Sequence, residues 1–573
     1  MVDFLYYTII AILLLSGFAA YILHKRKHIT ESIKRRISLQ WGEKPEDSYK
    51  TGELKAIAGF YVSTRDESAA FHIDDITWND LDMDDIFKRI NNTQTSAGEE
   101  YLYYLLRSPV FDRTVLAERE RLVEYFRKNP IEREKLQMLL AGLGKRRYAA
   151  VYDFFPDNPG YMPRTGRYGL LAAALLLSPL AMFINITIGF ILISAISLIN
   201  IFIYYRVKSE RESLLDRLTY IVELIKCARR ISKAGISQIN EYSEKLGDSA
   251  GHFRSLAINS FYQLFYNTND MLLEPLKAVF LLDLIAFKRL INVLSHHKDQ
   301  IRYLYQVAGF LDSVIAIASF RDSLDFYTVP SLEECGSTKP AYLRFTDAFH
   351  PLVGNPVVNS LDVKKPVLVT GSNASGKSTF LKMAAINAIF AQTIFTCLAR
   401  EYCSSYFKVF TSMALRDDVA SGRSYFITEI NSLKRIIDNV KGPYPLLCMI
   451  DEVLRGTNTV ERIAASSVIL GGLGESNCII VAATHDIELA AILKDRYDNY
   501  HFLERFEGNS IIFEYRIHNG KSTTRNAIKL LSIMGYPEQI VCSAADMADN
   551  FMRKGSWNYH PYNGEKQTRT GIT

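Results

Sequence analysis

The residues of this sequence best suited to chemistry lie in the stretch GSNASGKST, residues 371–379. It follows the apolar run KKPVLVT and precedes FLKMAAINAIF, so a glycine-containing turn joins a predicted strand to a predicted helix. Glycines let backbone amide hydrogens turn toward phosphate oxygens, and the start of the helix adds its positive end. The spacing fits G-x-x-x-x-G-K-[ST] and predicts a phosphate-binding loop made of Gly371, Ser372, Asn373, Ala374, Ser375, Gly376, Lys377, Ser378 and Thr379.

Two carboxylates follow a second apolar run and complete the chemistry that such a loop needs. The run LLCMIDE predicts a strand that ends in Asp451, and Glu452 comes next. We expect Lys377 to reach the β- and γ-phosphates and Ser378 to bind Mg²⁺ together with Asp451. Glu452 then stands where it would polarise an attacking water.

A histidine follows the third predicted strand, in VAATHD. His485 is placed to sense the γ-phosphate or to orient the water. The reaction predicted is attack of water on the γ-phosphate of ATP, accelerated by positioning and charge neutralisation. The loop alone also fits GTP, although no base-specificity motif of the GTPase kind stands out.

The surrounding sequence predicts a multidomain protein whose C-terminal region is an α/β P-loop NTPase. From about residue 340 short apolar strands alternate with glycine loops and helices, which is typical of a largely parallel sheet with crossover helices. Helical patterns precede it. The predicted regions are a helical core-like domain at 71–160 and 206–335, the ATPase domain at 340–548, a polar linker at 25–70 and a mobile tail at 552–573.

Apolar segments predict three membrane spans. Residues 4–23 are almost wholly apolar, long enough to cross a bilayer, and followed by HKRKH, which favours an uncleaved anchor (1–24) over a signal peptide. The block 168–205 predicts a helical hairpin of 168–184 and 187–205, the alternative being one long, tilted helix. Lys and Arg flank the spans at 25–36, 164–167 and 206–211, so the positive-inside rule places the ATPase domain in the cytoplasm.

Composition agrees with this interpretation. The chain has 573 residues, 48% hydrophobic and 23% charged, with a formal net charge of +5. This mild basic excess fits nucleic acid or anionic lipid and also fits the flanking charge of a membrane protein. The seven cysteines form no CxxC pair, so a disulfide framework or a zinc site is not predicted and a reducing compartment is favoured.

The motifs together resemble those of the MutS family, ABC-type ATPases best known from DNA mismatch repair. The resemblance covers about 340–545: FHPLV, GSNASGKSTFLK, DDVASGRSYFITEI, DEVLRGTNTVE and ATHDIEL look like successive motifs of its ATPase domain (domain V). In this loop Ala374-Ser375 stands where the family usually has Met-Gly. More loosely, INNTQTSAGEEYLYYLLRSPV resembles the start of the helical core domain.

The resemblance implies a homodimer, because in this family the signature stretch of one ATPase domain approaches the nucleotide of the other. The residues that would act in trans are Ser421, Gly422, Arg423 and Ser424. DNA binding is implied by family analogy alone. The stretch between the first span and the core-like block holds no Phe-x-Glu wedge, so we do not expect mismatch recognition.

Two other functions stay open at this point. An ABC-like engine joined to membrane helices fits a transporter, although three spans are few and no charged pathway crosses them. A scaffold at the membrane that binds ATP and changes state without DNA is the second alternative. Intact Lys377, Asp451 and Glu452 favour a working ATPase over such a scaffold.

Overall fold

The structure is a computed structural model of the whole chain. It describes residues 24–25, 27–46, 48–50, 52–65, 71–146, 166–210, 212–253, 274–335, 340–372, 375–413, 425–507, 510–521, 527–555 and 557. The chain divides into two compact units. The first comprises 1–72, 83–327 and 392–395, and the second comprises 73–82, 328–391 and 396–573.

The described part of the first unit is helical. The helices of residues 24–327 are α1 (27–40), α2 (Glu53–Thr64), α3 (Asp75–Asp80), α4 (Met83–Ile90), α5 (Ser96–Arg107), α6 (Arg113–Lys128), α7 (Pro130–Ala141), α8 (Gly166–Leu177), α9 (Ile186–Glu210), α10 (Glu212–Ser232), α11 (Asn240–Gly251), α12 (Glu274–Phe280), α13 (Leu282–His296) and α14 (Lys298–Asp322). All of them belong to the first unit except α3, which belongs to the second. Short 3₁₀ helices cover Ser178–Phe183 and Ser237–Ile239.

The core of the first unit forms where α5 crosses α14. Thr95 caps α5 by accepting a hydrogen bond from the N–H of Gly98. Asp312 on α14 is fully buried and accepts hydrogen bonds from Gln94 N, Thr95 N and Thr95 Oγ1. A Cβ on Gly98 would lie 2.2 Å from Asp312 Oδ2, so only glycine allows this close crossing.

Residues 25–70, which the sequence predicts to be a polar linker, contain two helices in the structure. On α1 Ile37 is 2% exposed, and on α2 Ile57 and Phe60 are buried. Trp41 Nε1 donates to Asp322 Oδ2 at 2.9 Å and ties the end of α1 to α14. A few apolar side chains spaced along a charged segment are therefore enough to dock both helices onto the unit.

The apolar block 168–205 forms two helical segments joined by a short turn. Helix α8 continues into the 3₁₀ helix Ser178–Phe183, and α9 returns after a turn at residues 184 and 185. Asn185 Oδ1 accepts from Thr187 N at 2.9 Å and starts α9. Phe183 and Ile184 at the tip are 89% and 86% exposed, and most of the large apolar side chains of α9 face outward.

Two described helices are long and apolar enough to cross a membrane by length and composition. The segment Ile186–Ser209 of α9 has a mean hydropathy of 2.5 and is 11% buried, whereas α14 has 1.4 and is 83% buried. Helix α14 is therefore a core helix of the first unit, and α8 with its 3₁₀ extension is a shorter apolar helix. The predicted span 4–23 lies outside the described residues.

The second unit is built on two sheets. Its strands are β1 (Ser331–Glu333), β2 (Leu343–Ala348), β3 (Asn359–Val363), β4 (Val367–Thr370), β5 (Glu401–Ser405), β6 (Lys408–Ser412), β7 (Leu446–Asp451), β8 (Cys478–Thr484), β9 (Asp498–Glu507) and β10 (Ser510–Asn519). Its further helices are α15 (Lys377–Gln392), α16 (Tyr425–Asn439), α17 (Thr459–Gly474), α18 (Ile487–Ile492), α19 (Ala527–Ile533) and α20 (Glu538–Lys554). Residues 556 and 558–573, in the predicted tail, lie outside the described residues.

The larger sheet confirms the predicted parallel architecture. Its strand order is β10-β9-β4-β8-β7-β6, and every neighbouring pair from β9 to β6 is parallel, while β10 runs antiparallel at one edge. Strands β4 and β7 are buried along their whole length, as expected of central strands covered by helices on both faces. The smaller sheet has the order β1-β5-β2-β3.

Helix α3 lies in the second unit although it precedes that unit by some 250 residues in the chain. Trp78 is 1% exposed. Asp80 accepts hydrogen bonds from Thr411 Oγ1 at 2.6 Å and from Met413 N at 3.1 Å. Asp82, just after α3, pairs with Lys382 of α15 at 2.6 Å. This N-terminal segment therefore anchors both the end of β6 and the helix that follows the phosphate loop.

Candidate functional site

The predicted phosphate loop follows β4 directly and opens into α15. Gly371 has φ 152° and Gly376 has φ 102°, both in the region that favours glycine. A Cβ on Gly376 would lie 3.0 Å from Cδ1 of Tyr515, so the loop also needs glycine there for space. Asn373 and Ala374 lie outside the described residues, and Ser375 Oγ donates to Ser372 O at 2.9 Å.

Lys377 is the first residue of α15 and its ammonium turns back over the loop. Nζ donates to the carbonyl oxygens of Gly371 and Ser372, both at 2.8 Å, and lies 3.2 Å from His485 Nε2. Burial lowers the pKa of Lys377 to about 8, against the nearby charges of Asp451 and Glu452. A cation that is held by carbonyls and partly desolvated is suited to bind phosphate oxygens strongly.

Ser378 and Asp451 meet at the base of the loop. Ser378 Oγ donates to Asp451 Oδ2 at 2.5 Å, and burial raises the pKa of Asp451. Mg²⁺ usually takes one or two protein oxygens and completes its shell with phosphate and water. A hydroxyl and a carboxylate side by side fit that pattern, and the described residues hold no cluster of three or more His, Cys, Asp or Glu ligands of another metal. Thr379 follows in the first turn of α15.

Glu452 stands at the start of a tight loop after β7. Its backbone has φ 53°, an uncommon value for a side-chain-bearing residue, and its N–H donates to Ala483 O at 3.0 Å. Its Oε1 lies 3.0 Å from His485 Nε2 and its Oε2 lies 3.1 Å from Arg455 Nε. The hydrogen bond with His485 lowers the pKa of Glu452, so this carboxyl stays ionised and able to accept a proton from water.

The sheet order explains why these residues meet. Strand β8 lies between β4 and β7, so the three carboxyl ends that carry the loop, the carboxylate pair and His485 are neighbours. Ligands of open parallel sheets bind at this edge. The structure thus brings Lys377, Ser378, Asp451, Glu452 and His485 together at the carboxyl ends of β4, β7 and β8. The predicted trans residues, 421–424, lie outside the described residues.

Sequence reasoning did not single out three polar side chains that complete the site. Arg455 contacts Glu452, and Arg462 on α17 makes hydrogen bonds of 2.9 and 2.8 Å to Asp486, the residue after His485. Glu429 on α16 accepts hydrogen bonds from the loop that follows Glu452. Arg455 and Glu429 lie in two of the motifs that resemble the family. Their presence in these motifs does not indicate which residues they contact.

Comparisons with known proteins agree with this geometry. Residues 367–552 match the family model described as MutS domain V. The chain is 29% identical over 271 residues to a DNA mismatch repair protein MutS from Thermotoga sp. (strain RQ2), covering 46% of this chain and 33% of that protein. A protein of the same name from Pseudothermotoga lettingae is 32% identical over 241 residues, 40% of this chain and 29% of that protein.

A third relative, DNA mismatch repair protein MutS from Thermus thermophilus, is 30% identical over 214 residues, 36% of this chain and 26% of that protein. Residues 367–552 of this chain therefore form a MutS domain V. The MutS domain V match includes every described residue of the site, from Gly371 to Tyr515. The chain spans about a third of the length of the MutS relatives that it matches.

Proposed function

We propose that this chain is a membrane-anchored MutS-family ATPase that binds and hydrolyses ATP with Mg²⁺ and works as a homodimer. The nucleotide state would move the helical unit. The observation that carries the proposal is the meeting of Lys377, Ser378, Asp451, Glu452 and His485 at adjacent strand ends. Each of the five would have a role in the transfer of the γ-phosphoryl group to water.

The chain's own groups divide the work of hydrolysis. The loop amides and Lys377 would hold the phosphates, and Ser378 with Asp451 would hold the metal ion. Bound Mg²⁺ would neutralise the charge that builds up on the phosphate oxygens. Glu452, ionised and fixed on both oxygens, would orient the attacking water and take its proton, while His485 would orient Glu452 and contact the γ-phosphate.

The test of this assignment separates binding from turnover. Lys377→Ala is expected to abolish ATP binding, measured with a fluorescent ATP analogue on the full chain in detergent. Glu452→Gln is expected to keep binding within about threefold and to lower kcat by about a hundredfold or more. Glu488→Gln, an exposed glutamate on the helix after His485, is the matched control and keeps full turnover. Full-speed hydrolysis by Glu452→Gln would refute the assigned chemistry.

The homodimer proposal follows from the family, and it places Ser421, Gly422, Arg423 and Ser424 at the partner's nucleotide. Mixing two inactive variants tests it. A Lys377→Ala chain keeps the trans residues and an Arg423→Ala chain keeps the phosphate loop. In a 1:1 mixture half of the dimers are mixed and each has one intact site, so about a quarter of wild-type turnover should return. No recovery after verified subunit exchange would exclude sharing of the site.

The membrane proposal rests on the exposed apolar surface of the hairpin. About 20 apolar residues at 1.5 Å per residue span roughly 30 Å, the thickness of the hydrocarbon core. With the segment 4–23 this gives three spans and a cytoplasmic ATPase domain. A cysteine at the tip, Ile184→Cys, should react with an impermeant maleimide in intact cells. Exposed Cys542 should react only after lysis. The opposite labelling pattern would overturn the topology.

DNA binding is proposed on family analogy alone. A protein that contacts phosphates must lose affinity steeply as salt rises. Binding of the full chain in detergent to duplex and branched DNA should therefore be measured from about 50 to 200 mM salt. No binding at low salt would remove DNA from the proposed function and leave the membrane ATPase intact.

A further inference from the structure

Helix α16 contacts the loop that begins at Glu452, the carboxylate proposed to orient the attacking water. Glu429 of α16, 6% exposed, accepts hydrogen bonds from Arg455 N at 3.2 Å and from Gly456 N at 3.3 Å, one to each carboxylate oxygen. One turn earlier, Phe426 lies against Gly456 so closely that an added Cβ would be 3.2 Å from the Phe426 Cβ. Two side chains of one helix face therefore fix the end of this loop.

The loop needs such support because its backbone is strained. Glu452 has φ 53° and Leu454 has φ 57°, left-handed conformations that persist only when the surroundings hold them. The start of the loop is held by the bond from Glu452 N to Ala483 O and its middle by Ser466 Oγ, which donates to Val453 O at 3.2 Å. Glu429 fixes the end of the loop through its hydrogen bonds from Arg455 N and Gly456 N.

Arg455 connects this hold to the carboxylate itself. The backbone N–H of Arg455 is bound by Glu429, and its side-chain Nε lies 3.1 Å from Glu452 Oε2. The other oxygen of Glu452 is bound by His485. If the Glu429 contacts are lost, the backbone of Arg455 is free to shift and one of the two contacts that orient the Glu452 carboxylate goes with it.

We propose that Glu429 is a positioning residue for ATP hydrolysis, which sets the orientation of Glu452 through the backbone and side chain of Arg455. The inference rests on the proposed hydrolysis and adds to it a residue that acts through its hydrogen bonds to the backbone of the loop. It assigns α16 a second role besides packing: a movement of this helix would change the orientation of the Glu452 carboxylate through Arg455.

The experiment measures kcat and the ATP dissociation constant separately in the full chain. Glu429→Gln keeps the length of the side chain but offers one acceptor oxygen and an NH₂ group that opposes the second N–H. We expect kcat to fall about tenfold, the effect of losing roughly one hydrogen bond in the transition state, with ATP affinity unchanged within about twofold. Asp438→Asn, on the exposed face of the same helix in an ion pair with Lys434, is the control and keeps wild-type kcat.

A double variant tests whether Glu429 acts through Glu452. In the Glu452→Gln background, where the carboxylate is absent, adding Glu429→Gln should leave the residual single-turnover rate unchanged. Arg455→Ala should reproduce the loss of kcat, and Arg455→Lys should restore part of it. These two variants keep the inference testable if Glu429→Gln fails to fold.

The kinetics of these variants decide whether Glu429 is a positioning residue. Wild-type kcat in Glu429→Gln overturns the inference, and so does a loss of ATP affinity in parallel with thermal stability, because that is a packing defect only. Fully additive losses in the double variant overturn it as well. If Glu452→Gln hydrolyses ATP at full speed, the proposed function falls first. If Glu452→Gln stalls and Glu429→Gln is normal, only the positioning role falls.

Discussion

Replacing Asp80 by alanine should loosen the end of β6 in the second unit. The Asp80 carboxylate accepts from Thr411 Oγ1 at 2.6 Å and from Met413 N at 3.1 Å. Leaving a buried donor without its acceptor costs about 1–3 kcal/mol, so two such losses give roughly 2–6 kcal/mol of local stability. Since about 1.4 kcal/mol is a factor of ten, amide exchange should accelerate at least roughly 30-fold and at most by about four orders of magnitude.

Hydrogen exchange followed by mass spectrometry on the full chain measures this effect. Peptides that cover 408–413 should exchange faster in Asp80→Ala, while peptides of the neighbouring strand β7 should keep their rates. Asn79→Ala, an exposed neighbour on the same helix, is the control and should leave 408–413 unchanged. Unchanged exchange at 408–413 in Asp80→Ala, or equal acceleration throughout the sheet, would refute a local anchor.

Three further predictions concern single side chains. Gly376→Ala should abolish ATP binding in the analogue assay with little change in melting temperature, because φ is 102° and its Cβ would lie 3.0 Å from an aromatic ring. Arg321→Met should lower the free energy of unfolding of the first unit by about 3 kcal/mol in urea titrations, since it removes the buried guanidinium that pairs with Glu120, while Glu124 keeps its ion pairs with Arg127 and Lys128. Burial raises the pKa of Asp312 from 3.8 to about 6, so the folded state binds this proton more tightly than the unfolded state. Unfolding free energy should therefore fall by roughly 3 kcal/mol as pH rises from about 4 through 6, and Asp312→Asn should remove that part of the slope; equal slopes in both proteins would contradict it.

Helix α3 shows a limit of sequence reasoning about domains. In the sequence, Asp80 and Trp78 lie at the start of a helical region and nothing in their spacing connects them to residues beyond 380. The structure places them in the second unit, with Thr411 and Met413 as hydrogen-bond partners. A fragment that begins at residue 328 therefore lacks the buried Trp78 and the anchoring carboxylates of Asp80 and Asp82, all of which belong to the second unit.

Apolar helices show a second limit. Helices α9 and α14 each carry 25 residues, and both are apolar enough by composition to cross a membrane. Only tertiary packing separates them, because α14 is surrounded by its own unit and α9 leaves its apolar side chains outside. A hydropathy profile shows that a segment is unfavourable in water, but it does not show whether protein or lipid will cover the segment.

The residues of the candidate site could be predicted from the sequence alone. The phosphate loop is contiguous, and each remaining group follows an apolar strand, so composition and spacing were sufficient to predict which residues lie together at the strand ends. The contacts that hold those residues became visible only in the folded chain. Glu429 binds the backbone of Arg455, Arg455 contacts Glu452, and Asp80 binds the end of β6. These contacts join segments far apart in the chain, and their energies come from burial and hydrogen-bond geometry that exist only after folding.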